Sequence, residues 1–449
     1  MHTPLIIIGA GPGGYETALL AAKRGLEVTL IEKGNVGGTC LNEGCIPTKS
    51  FCRNAQILDE LKQADQFGIS QLNYSFDFAA VQQRKEQVVS QLRQGVETLL
   101  THKLIHFVSG TAQFVDAHTV CVESTTYSAD HIIIATGSSA QMLPIEGADL
   151  PQVISSTELI QLTEVPPRLC IIGAGVIGME FASIFQSFGS EVTVLEYTKE
   201  ILPRFDVDLT KRLRQSLNKR GIEILTQAAV ERIEEGNGEL HVHYTRKGKE
   251  EYISADRVLM AVGRKPNVET LNLNEVGISY SGRGIQVNEY MQTSIPHIYA
   301  IGDVTGGLML AHVATHQGVK ALNHLMQIPE PIQLNPAIPA AVFTTPEIAT
   351  VGLTEEECKE RGIEYTVRKS FFRANGKALC MNESDGICKI IIDVQGVLLG
   401  CHIMGAHASD LIQEACSLIT HGGTVQQLSS TVHTHPTLSE ILQTAAHSS

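Results

Sequence analysis

The stretch Leu5-Ile-Ile-Ile-Gly-Ala-Gly-Pro-Gly-Gly14 decides the fold of this chain. Its apolar run predicts a buried strand, and Gly9, Gly11 and Gly14 follow in the pattern Gly-x-Gly-x-x-Gly. An alanine- and leucine-rich segment then predicts a helix, and a second apolar run ends in Glu32. In such a unit the first glycine permits a tight turn, the second lets a pyrophosphate approach the backbone, and the third lets helix pack on strand. The stretch therefore predicts a dinucleotide site.

The same pattern recurs in the middle of the chain. The apolar run Leu169–Ile172 leads into Gly173, Gly175 and Gly178, and a helix and a strand ending in Glu196 follow. Glu32 and Glu196 lie equally far from the first glycine of their own copies, at the distance where a carboxylate binds an adenosine ribose. Helix N-termini supply N–H groups to the phosphates. Two bound dinucleotides in one chain suggest electron transfer between them.

Composition limits the kind of protein. The chain has 449 residues, enough for two to four domains of roughly 100–200 residues each. Lys and Arg number 34 and Asp and Glu 48, so the net charge of −14 disfavours binding to nucleic acid and favours a basic partner surface. No apolar run approaches the roughly 18 residues of a membrane helix, so we expect no membrane partner.

The N-terminus and the cysteines add two expectations. Only four residues precede Leu5–Ile8, which leaves no room for a signal or transit peptide, so we expect a cytoplasmic protein or one already processed. The ten cysteines include no Cys-x-x-Cys pair, the usual half-site for zinc. His312 and His316 have the spacing of a helical zinc pair, but no third ligand is apparent, and we predict no metal site.

The pattern of elements changes after Pro329–Pro339, a proline-rich stretch that we interpret as a linker. Grouped strands and then helices follow it, which suggests a separate α+β domain. We expect four sections, with boundaries at 1–148, 149–268, 269–334 and 335–449. Among the predicted helices are Asn54–Gln66, Val81–His102, Ser409–His421 and Thr437–Ala446.

A pair of cysteines stands just after the first nucleotide motif. Cys40 and Cys45 lie in Gly-Gly-Thr-Cys-Leu-Asn-Glu-Gly-Cys-Ile-Pro-Thr-Lys, at a predicted helix start. A helix N-terminus lowers the pKa of a thiol, and the thiolate is the reactive form. A thiol pair beside a redox cofactor can pass two electrons to it. The alternative is two small buried apolar side chains, but the surrounding glycines and Pro-Thr-Lys favour a redox pair.

This segment resembles the redox-active disulfide of the class I pyridine nucleotide-disulfide oxidoreductases, and Cys-Leu-Asn-x-Gly-Cys-Ile-Pro-Thr-Lys most resembles the dihydrolipoamide dehydrogenase branch of that family. The likeness covers essentially the whole chain. It implies an α/β fold with two Rossmann-like domains, an FAD-binding domain at 1–148 continued at 269–334 and an NAD-binding domain at 149–268. An α+β dimerisation domain follows at 335–449.

The resemblance also implies which residues contact the cofactors FAD and NAD. They come from the two glycine motifs, the acidic strand ends, the redox segment and three later strand or helix ends. The implied cofactor-binding residues are Gly9, Gly11, Gly14, Glu32, Thr39, Lys49, Ala135, Thr136, Gly137, Gly173, Gly175, Gly178, Glu196, Gly263, Gly302, Asp303, Leu310, Ala311 and His312.

The family pattern implies a role for each member of the redox centre. Cys45 would face the flavin, and Cys40 would exchange with the substrate dithiol. Lys49 would lie beside the flavin, paired with Glu180 near the nicotinamide. Taken without the resemblance, Lys49 and Glu180 could equally be ordinary solvated helix positions.

The segment His-Thr-His-Pro-Thr-Leu-Ser-Glu near the C-terminus carries a second signal. Pro436 suits a first helical position, which predicts His435 at a helix start and Glu440 about one turn in. Taken alone, a histidine at a helix cap is more often structural. The resemblance implies that His435 is the acid/base, oriented by Glu440, and that it reaches the disulfide of the other subunit. A homodimer would then be needed for activity.

Together these residues imply oxidation of protein-bound dihydrolipoamide, with electrons passing through Cys40–Cys45 and FAD to NAD⁺. The implied partner is the lipoyl-bearing acyltransferase of a 2-oxo acid dehydrogenase complex, or a glycine-cleavage carrier protein. Two alternatives remain: another FAD-dependent disulfide reductase of the same fold, or a flavoprotein that has lost lipoyl turnover and acts as a binding subunit. Intact Cys40, Cys45, His435 and Glu440 argue against the last.

The remaining expectations concern the choice between NAD and NADP and two residues that differ from the family pattern. Glu196 favours NAD over NADP because a carboxylate repels a 2′-phosphate, although Lys199 lies nearby. Glu43 stands between the cysteines where the family commonly has an apolar residue, and a carboxylate there should disfavour thiolates. Gln317 stands where the family has glutamate, and we derive no consequence from it.

Overall fold

The computed structural model describes residues 1–236, 238–329 and 337–448. Its first unit is built on a sheet of order β3-β2-β1-β6-β5-β4, in which β1 is parallel to both β2 and β6. The near-continuous apolar run of β1 fits this place, because a central parallel strand is buried on both faces. The elements are β1 (His2–Ile8), α1 (Pro12–Lys23), β2 (Val28–Glu32), α2 (Gly38–Asn42), α3 (Cys45–Lys62), α4 (Phe78–Leu100), β3 (Ile105–Ser109), β4 (Ala112–Asp116), β5 (Thr119–Val122), β6 (Thr125–Ile134) and β7 (Ser138–Ala140).

The second unit repeats the parallel arrangement, with sheet order β11-β10-β9-β15-β8 and an antiparallel meander β12-β13-β14 beside it. Its elements are β8 (Val153–Ile154), α5 (Ser156–Leu159), β9 (Arg168–Ile172), α6 (Val176–Phe188), β10 (Glu191–Glu196), α7 (Val207–Lys219), β11 (Glu223–Thr226), β12 (Ala228–Gly236), β13 (Glu239–Arg246), β14 (Lys249–Ala255), β15 (Arg257–Met260) and β16 (Arg264–Pro266). Strands β7 and β16 pair with each other, so the two passages of the chain between the units form one ribbon.

A third section returns to the first unit. It contains α8 (Leu273–Val276), β17 (Tyr280–Ser281), β18 (Gly284–Ile285), β19 (Ile298–Ala300) and α9 (Ala311–Leu325). Strand β19 adds to the first sheet beside β6, and α9 packs on α1. Distant parts of the sequence therefore complete one nucleotide-binding unit.

The C-terminal domain is an antiparallel sheet of order β20-β21-β24-β23-β22 packed with helices. Its elements are β20 (Ala340–Val342), β21 (Glu347–Gly352), α10 (Glu355–Glu360), β22 (Tyr365–Phe371), α11 (Gly376–Cys380), β23 (Ile387–Asp393), β24 (Leu398–Gly405), α12 (Ala408–Thr420), α13 (Val425–Ser430) and α14 (Glu440–His447). Short 3₁₀ turns occur at Ala64–Phe67, Gly302–Thr305 and Phe372–Ala374. In the described ranges, no helix combines the length and apolarity needed to cross a bilayer.

Buried contacts join the domains. The largest apolar core combines the second unit with α3 of the first and with the C-terminal sheet. A fully buried ion pair also crosses the boundary, with Lys389 Nζ of β23 at 2.8 Å from Asp206 Oδ2, the residue that caps α7. The core holds α3, and with it Cys45, against both neighbours.

Two element predictions need adjustment, and a third falls mostly outside the described residues. The predicted helix Asn54–Gln66 covers the later part of α3, which runs from Cys45 to Lys62, and most of the 3₁₀ turn that follows. The helix predicted from Thr437 begins only at Glu440, so the expectation that Pro436 is a first helical position is wrong. Most of the predicted linker Pro329–Pro339 lies outside the described residues.

Gly318 lies where α9 crosses α1, and the close packing there leaves no space for a side chain. A Cβ there would lie 1.9 Å from Thr17 Oγ1 and 3.3 Å from the carbonyl oxygen of Gly13. The Thr17 hydroxyl is buried and donates to that carbonyl at 2.5 Å, so it cannot move aside freely. We expect Gly318→Ala to lower the free energy of unfolding by about 1–3 kcal/mol, the usual cost of overpacking, as measured by thermal or denaturant unfolding.

Gly95 provides the matched control. It lies on the exposed face of α4, and a Cβ there would meet nothing within 4 Å. Gly95→Ala should leave stability unchanged or raise it by about 0.5–1 kcal/mol, because alanine suits a helix interior better than glycine. Equal effects of the two substitutions would contradict the packing argument.

Candidate active site

A large cavity lies where the two nucleotide-binding units and the C-terminal domain meet. Its volume is about 3550 Å³, and its walls include both glycine motifs and both redox cysteines. Pockets for one small ligand usually measure about 300–1,000 Å³. The cavity therefore has room for two dinucleotides that meet at the redox segment.

The third glycine of each motif serves packing. A Cβ on Gly14 would lie 1.8 Å from the carbonyl oxygen of Gly9, and a Cβ on Gly178 would lie 2.0 Å from that of Gly173. Both positions sit beneath their helices and do not line the cavity. These two glycines thus differ from the other predicted cofactor contacts, since they let each helix approach its strand.

The second glycine of each motif borders open space instead. A Cβ on Gly175 would meet nothing within 4 Å, and one on Gly11 would meet only Gly38 Cα at 3.8 Å. Each residue is the N-cap of its helix, α6 or α1, so the free N–H groups of the helix face the same space. A side chain would fill the position that a pyrophosphate needs, and both sites fit a dinucleotide.

The acidic strand ends bind the glycine turns directly. Each carboxylate accepts one backbone N–H from its turn and one from the loop after its own strand, and each lines the cavity. The four bonds are Ala10 N to Glu32 Oε2 (2.6 Å), Gly34 N to Glu32 Oε1 (2.8 Å), Ala174 N to Glu196 Oε2 (2.6 Å) and Thr198 N to Glu196 Oε1 (2.7 Å). Carboxylate oxygens keep further lone pairs, which remain for a ribose.

The redox cysteines lie together at the junction of two helices. Cys40 is in α2 and Cys45 is the first residue of α3, and both are thiols in this structure. A hydrogen bond from the Cys40 thiol lowers the pKa of Cys45 to about 7; the Lys49 charge acts in the same direction, against burial and Glu180. The same bond, followed by burial, raises the pKa of Cys40. Cys45 is therefore the more readily ionised sulfur.

The loop between the cysteines is held by a residue that we did not single out from the sequence. The side-chain amide of Asn42 donates to the carbonyl oxygens of Val36 at 3.0 Å and Gly38 at 2.9 Å. Its own oxygen accepts from Arg93 Nε of α4 at 2.8 Å. The signal available in the sequence was the polar Asn42 between two cysteines, but its partners could not be read from local spacing.

Lys49 and Glu180 form an ion pair inside the cavity wall. Lys49 Nζ lies 2.9 Å from Glu180 Oε1 and 2.8 Å from Oε2. Glu180 is buried, and a buried carboxylate requires such a partner. Burial alone would lower the pKa of Lys49, but Glu180 outweighs it and the pKa is raised. The pair is thus charged, one helical turn from Cys45.

A second polar group surrounds Asp303. Its Oδ2 accepts from Ser138 Oγ at 2.5 Å, and Arg264 Nε donates to the same hydroxyl at 2.7 Å. Ser138 and Arg264 stand on the paired strands β7 and β16, so the ribbon between the units positions Asp303. Sequence reasoning missed both residues, although each directly follows a predicted strand-end glycine, Gly137 or Gly263.

The other predicted cofactor residues also border the cavity. Gly302 is one of them, and its backbone N–H donates to the side-chain oxygen of Gln317 at 2.6 Å. Gln317, which stands where the family has glutamate, therefore supports Gly302. The ring of His312 lies 2.9 Å from the carbonyl oxygen of Pro339. The remaining residues in the wall are Thr39, Ala135, Thr136, Gly137, Gly263, Gly302, Leu310, Ala311 and His312.

Glu43 lies between the redox cysteines in sequence and is exposed. The groups with the largest effects on the pKa of Cys45 are Cys40, Lys49 and Glu180, and the net shift is downward. The charge of Glu43 also acts on the guanidinium of Arg264. The expectation that Glu43 disfavours the thiolate stays a prediction.

His435 and Glu440 lie apart from the cavity in the described part of the chain. His435 Nδ1 is 2.9 Å from Glu440 Oε1, and Thr437 N donates to Glu440 Oε2 at 2.8 Å. His435 thus lies in the turn before α14 and not at the start of a helix, where it was predicted. The backbone of Thr437, and then His435, lowers the pKa of Glu440, which stays ionised and orients an imidazole that is 79% exposed.

The pKa of Cys45 yields a direct test on the reduced protein. Because the thiolate is the reactive form, the rate of alkylation by iodoacetamide at Cys45 should rise with pH with a midpoint near 7. Lys49→Met should move this midpoint upward, because the ammonium lowers the pKa of Cys45.

Cys170 is the internal reference, since burial raises its pKa to about 12 and it should stay unlabelled. Peptide mass spectrometry distinguishes the two cysteines. A Cys45 midpoint above about 8.5, the value of an ordinary thiol, would contradict this account.

Comparison with known proteins agrees with this geometry. A family model for the pyridine nucleotide-disulphide oxidoreductases matches residues 3–318, and the model for their dimerisation domain matches residues 338–446. Dihydrolipoyl dehydrogenases of Geobacillus stearothermophilus and Bacillus subtilis (strain 168) are each 40% identical to this chain, and each alignment covers 99% of this chain and 96% of the relative.

A solved structure is similar over the same length. The HOCl-induced flavoprotein disulfide reductase RclA from Escherichia coli is 32% identical, with a TM-score of 0.89 and coverage of 99% of both chains; its Cu(II) complex gives 0.90. Both nucleotide units and the C-terminal domain thus have counterparts in known proteins. The chain belongs to the pyridine nucleotide-disulphide oxidoreductase family.

Proposed function

We propose that this chain is a homodimeric dihydrolipoyl dehydrogenase, which oxidises protein-bound dihydrolipoamide and reduces NAD⁺. The observation that carries the proposal is the thiol pair Cys40–Cys45, with its ionisable sulfur beside Lys49, inside a cavity that fits two dinucleotides. Relatives with that activity in their names match the whole chain at 40% identity, and the dimerisation-domain match supports a homodimer.

FAD and NAD are the cofactors of this enzyme type. Bound FAD would supply the two-electron chemistry that links the dithiol to NAD⁺. Gly11, Glu32 and Asp303 would hold the FAD, and Gly175 and Glu196 the NAD. The predicted sections 1–148 and 269–334 then form the FAD-binding domain, and 149–268 the NAD-binding domain. Section 335–449 forms the interface.

The chain's own residues divide the thiol chemistry between them. One substrate sulfur bonds to Cys40 Sγ while the Cys40–Cys45 bond breaks and Cys45 leaves as the thiolate. The second substrate sulfur then attacks the first, which releases Cys40 and completes the substrate disulfide. A thiol of low pKa is the better leaving group, and the lowered pKa of Cys45 supports this order. Two electrons thus move from the substrate to the cysteine pair.

The proton from the substrate thiol needs a base near Cys40. His435 is the candidate, because Glu440 fixes one ring nitrogen and leaves the other exposed. Since His435 does not border its own chain's cavity, we assign it to the site of the partner subunit. Activity would then require the dimer.

The protein that carries the substrate is inferred from the dihydrolipoyl group and from the net charge of this chain. A dihydrolipoyl group is carried by an acyltransferase of a 2-oxo acid dehydrogenase complex or by a glycine-cleavage carrier protein, and a basic docking surface would suit a net charge of −14. A cytoplasmic location fits such partners. Glu196 supports NAD over NADP, because both of its oxygens already hold backbone N–H groups and the carboxylate repels a 2′-phosphate.

The decisive assay is NADH formation from dihydrolipoamide and NAD⁺ by the purified flavoprotein, run beside NADP⁺. We expect turnover with NAD⁺ and at least about tenfold less with NADP⁺, a difference of roughly 1.4 kcal/mol. Cys45→Ser should abolish turnover while FAD stays bound. Cys121→Ser makes the same atomic change on β5, outside the cavity, and should retain full activity.

Turnover of other disulfides without any turnover of dihydrolipoamide would favour a different reductase of this fold. A flavin-loaded protein without activity on any dithiol or disulfide would favour a binding subunit.

The shared site has its own test. His435→Gln should lower turnover at least about a hundredfold, the usual contribution of a general base. Dissociating and mixing the His435→Gln and Cys45→Ser variants creates hybrid dimers in which one site contains both native groups. Activity should return in the mixture and not in either variant alone. A mixture of proven hybrid dimers without recovered activity would rule out the cross-subunit base.

A further inference from the structure

Phe343 brings the C-terminal domain into contact with the Lys49–Glu180 pair. It directly follows β20 and lines the cavity. The ammonium of Lys49 lies 4.4 Å from the centre of the Phe343 ring. That is within the roughly 6 Å over which an aromatic face attracts a cation, so the ring covers one side of the ammonium while Glu180 binds another.

The backbone of the same residue binds the other partner. Phe343 N donates to Glu180 Oε1 at 3.0 Å, and the thiol of Cys52 on α3 donates to the carbonyl oxygen of Phe343 at 3.5 Å. One residue of the C-terminal domain therefore contacts Glu180 of α6, Lys49 of α3 and a second residue of α3.

Neighbouring contacts fix the backbone that carries the ring. Thr345 N donates to Ser183 Oγ at 3.2 Å, and Arg220 Nη1 donates to the carbonyl oxygen of Thr345 at 3.0 Å. Glu180 and Ser183 lie one turn apart on α6, so the N–H groups of residues 343 and 345 both bind that helix. The backbone position of Phe343 is thus set by α6 as well as by β20.

We propose that Phe343 is a positioning residue for the redox centre: its ring and its N–H hold the Lys49 ammonium where that charge stabilises the Cys45 thiolate. The inference rests on the proposed roles of Cys45 and Lys49. Glu180 alone could hold the ammonium at many angles, because a carboxylate offers several acceptor directions. The aromatic face removes that freedom and keeps water from one side of the charge. The C-terminal domain thereby contributes to the reactivity of a cysteine in the first unit.

Alkylation of Cys45 tests this inference without substrate or NAD⁺. The flavin-loaded dimer is reduced, treated with iodoacetamide across about pH 5–9, and analysed by peptide mass spectrometry. Phe343→Leu and Phe343→Met both remove the aromatic face and keep apolar bulk. At neutral pH we expect both variants to alkylate Cys45 about two- to threefold more slowly than the native protein, because the thiolate fraction falls.

Two controls make the result specific. Phe343→Tyr keeps the aromatic face and should react at the native rate. Phe371→Leu removes a ring of the C-terminal domain that lies 4.9 Å from Arg373 and 5.4 Å from Arg212 of α7, away from the cavity, and should also react at the native rate. These results together would establish the positioning role.

Two other results would overturn it. One is native reactivity in both Phe343→Leu and Phe343→Met. The other is an equal loss in Phe343→Tyr or Phe371→Leu, which would indicate a general effect on stability. Loss of dihydrolipoamide turnover is not part of this readout, so failure of the proposed function and failure of this inference remain distinguishable.

Discussion

The contact on which both nucleotide units depend is the one between a strand-end carboxylate and a glycine turn. Glu32 and Glu196 each bridge the turn and the following loop through two backbone N–H groups. Beside each bridge, Gly14 or Gly178 brings helix and strand too close for a side chain. One repeated local geometry thereby makes two dinucleotide cradles, and both line one cavity.

The redox centre lies between these cradles, and its residues come from both nucleotide units and the C-terminal domain. The first unit supplies Cys40, Cys45 and Lys49, the second supplies Glu180, and the C-terminal domain supplies Phe343. The helix start, the hydrogen bond between the thiols and the lysine charge all favour ionisation of one sulfur over the other. The asymmetry between two chemically identical cysteines is thus a property of the assembled fold.

The sequence was sufficient to predict those features whose residues lie close together along the chain. Glycine spacing, the strand-end acids and the cysteine segment are each read within one supersecondary unit, and the fold class followed from them. It was insufficient where partners come from distant segments, as for Arg264 with Asp303 or Phe343 with Lys49. The effect of Glu43 stays a prediction for the same reason, because spacing places a carboxylate near a thiol but does not give the distant charges around it, such as that of Arg264.

The buried pair of Lys389 and Asp206 has a consequence for chimeric proteins. Lys389 also contacts Asp208 and Glu355, whereas Asp206 has no exposed surface and depends on this lysine. A C-terminal domain exchanged from a relative without a lysine here would leave a buried carboxylate without its cation, at a cost of about 3–5 kcal/mol. Recombination at this boundary therefore preserves stability only when the two parents together supply both the aspartate and the lysine.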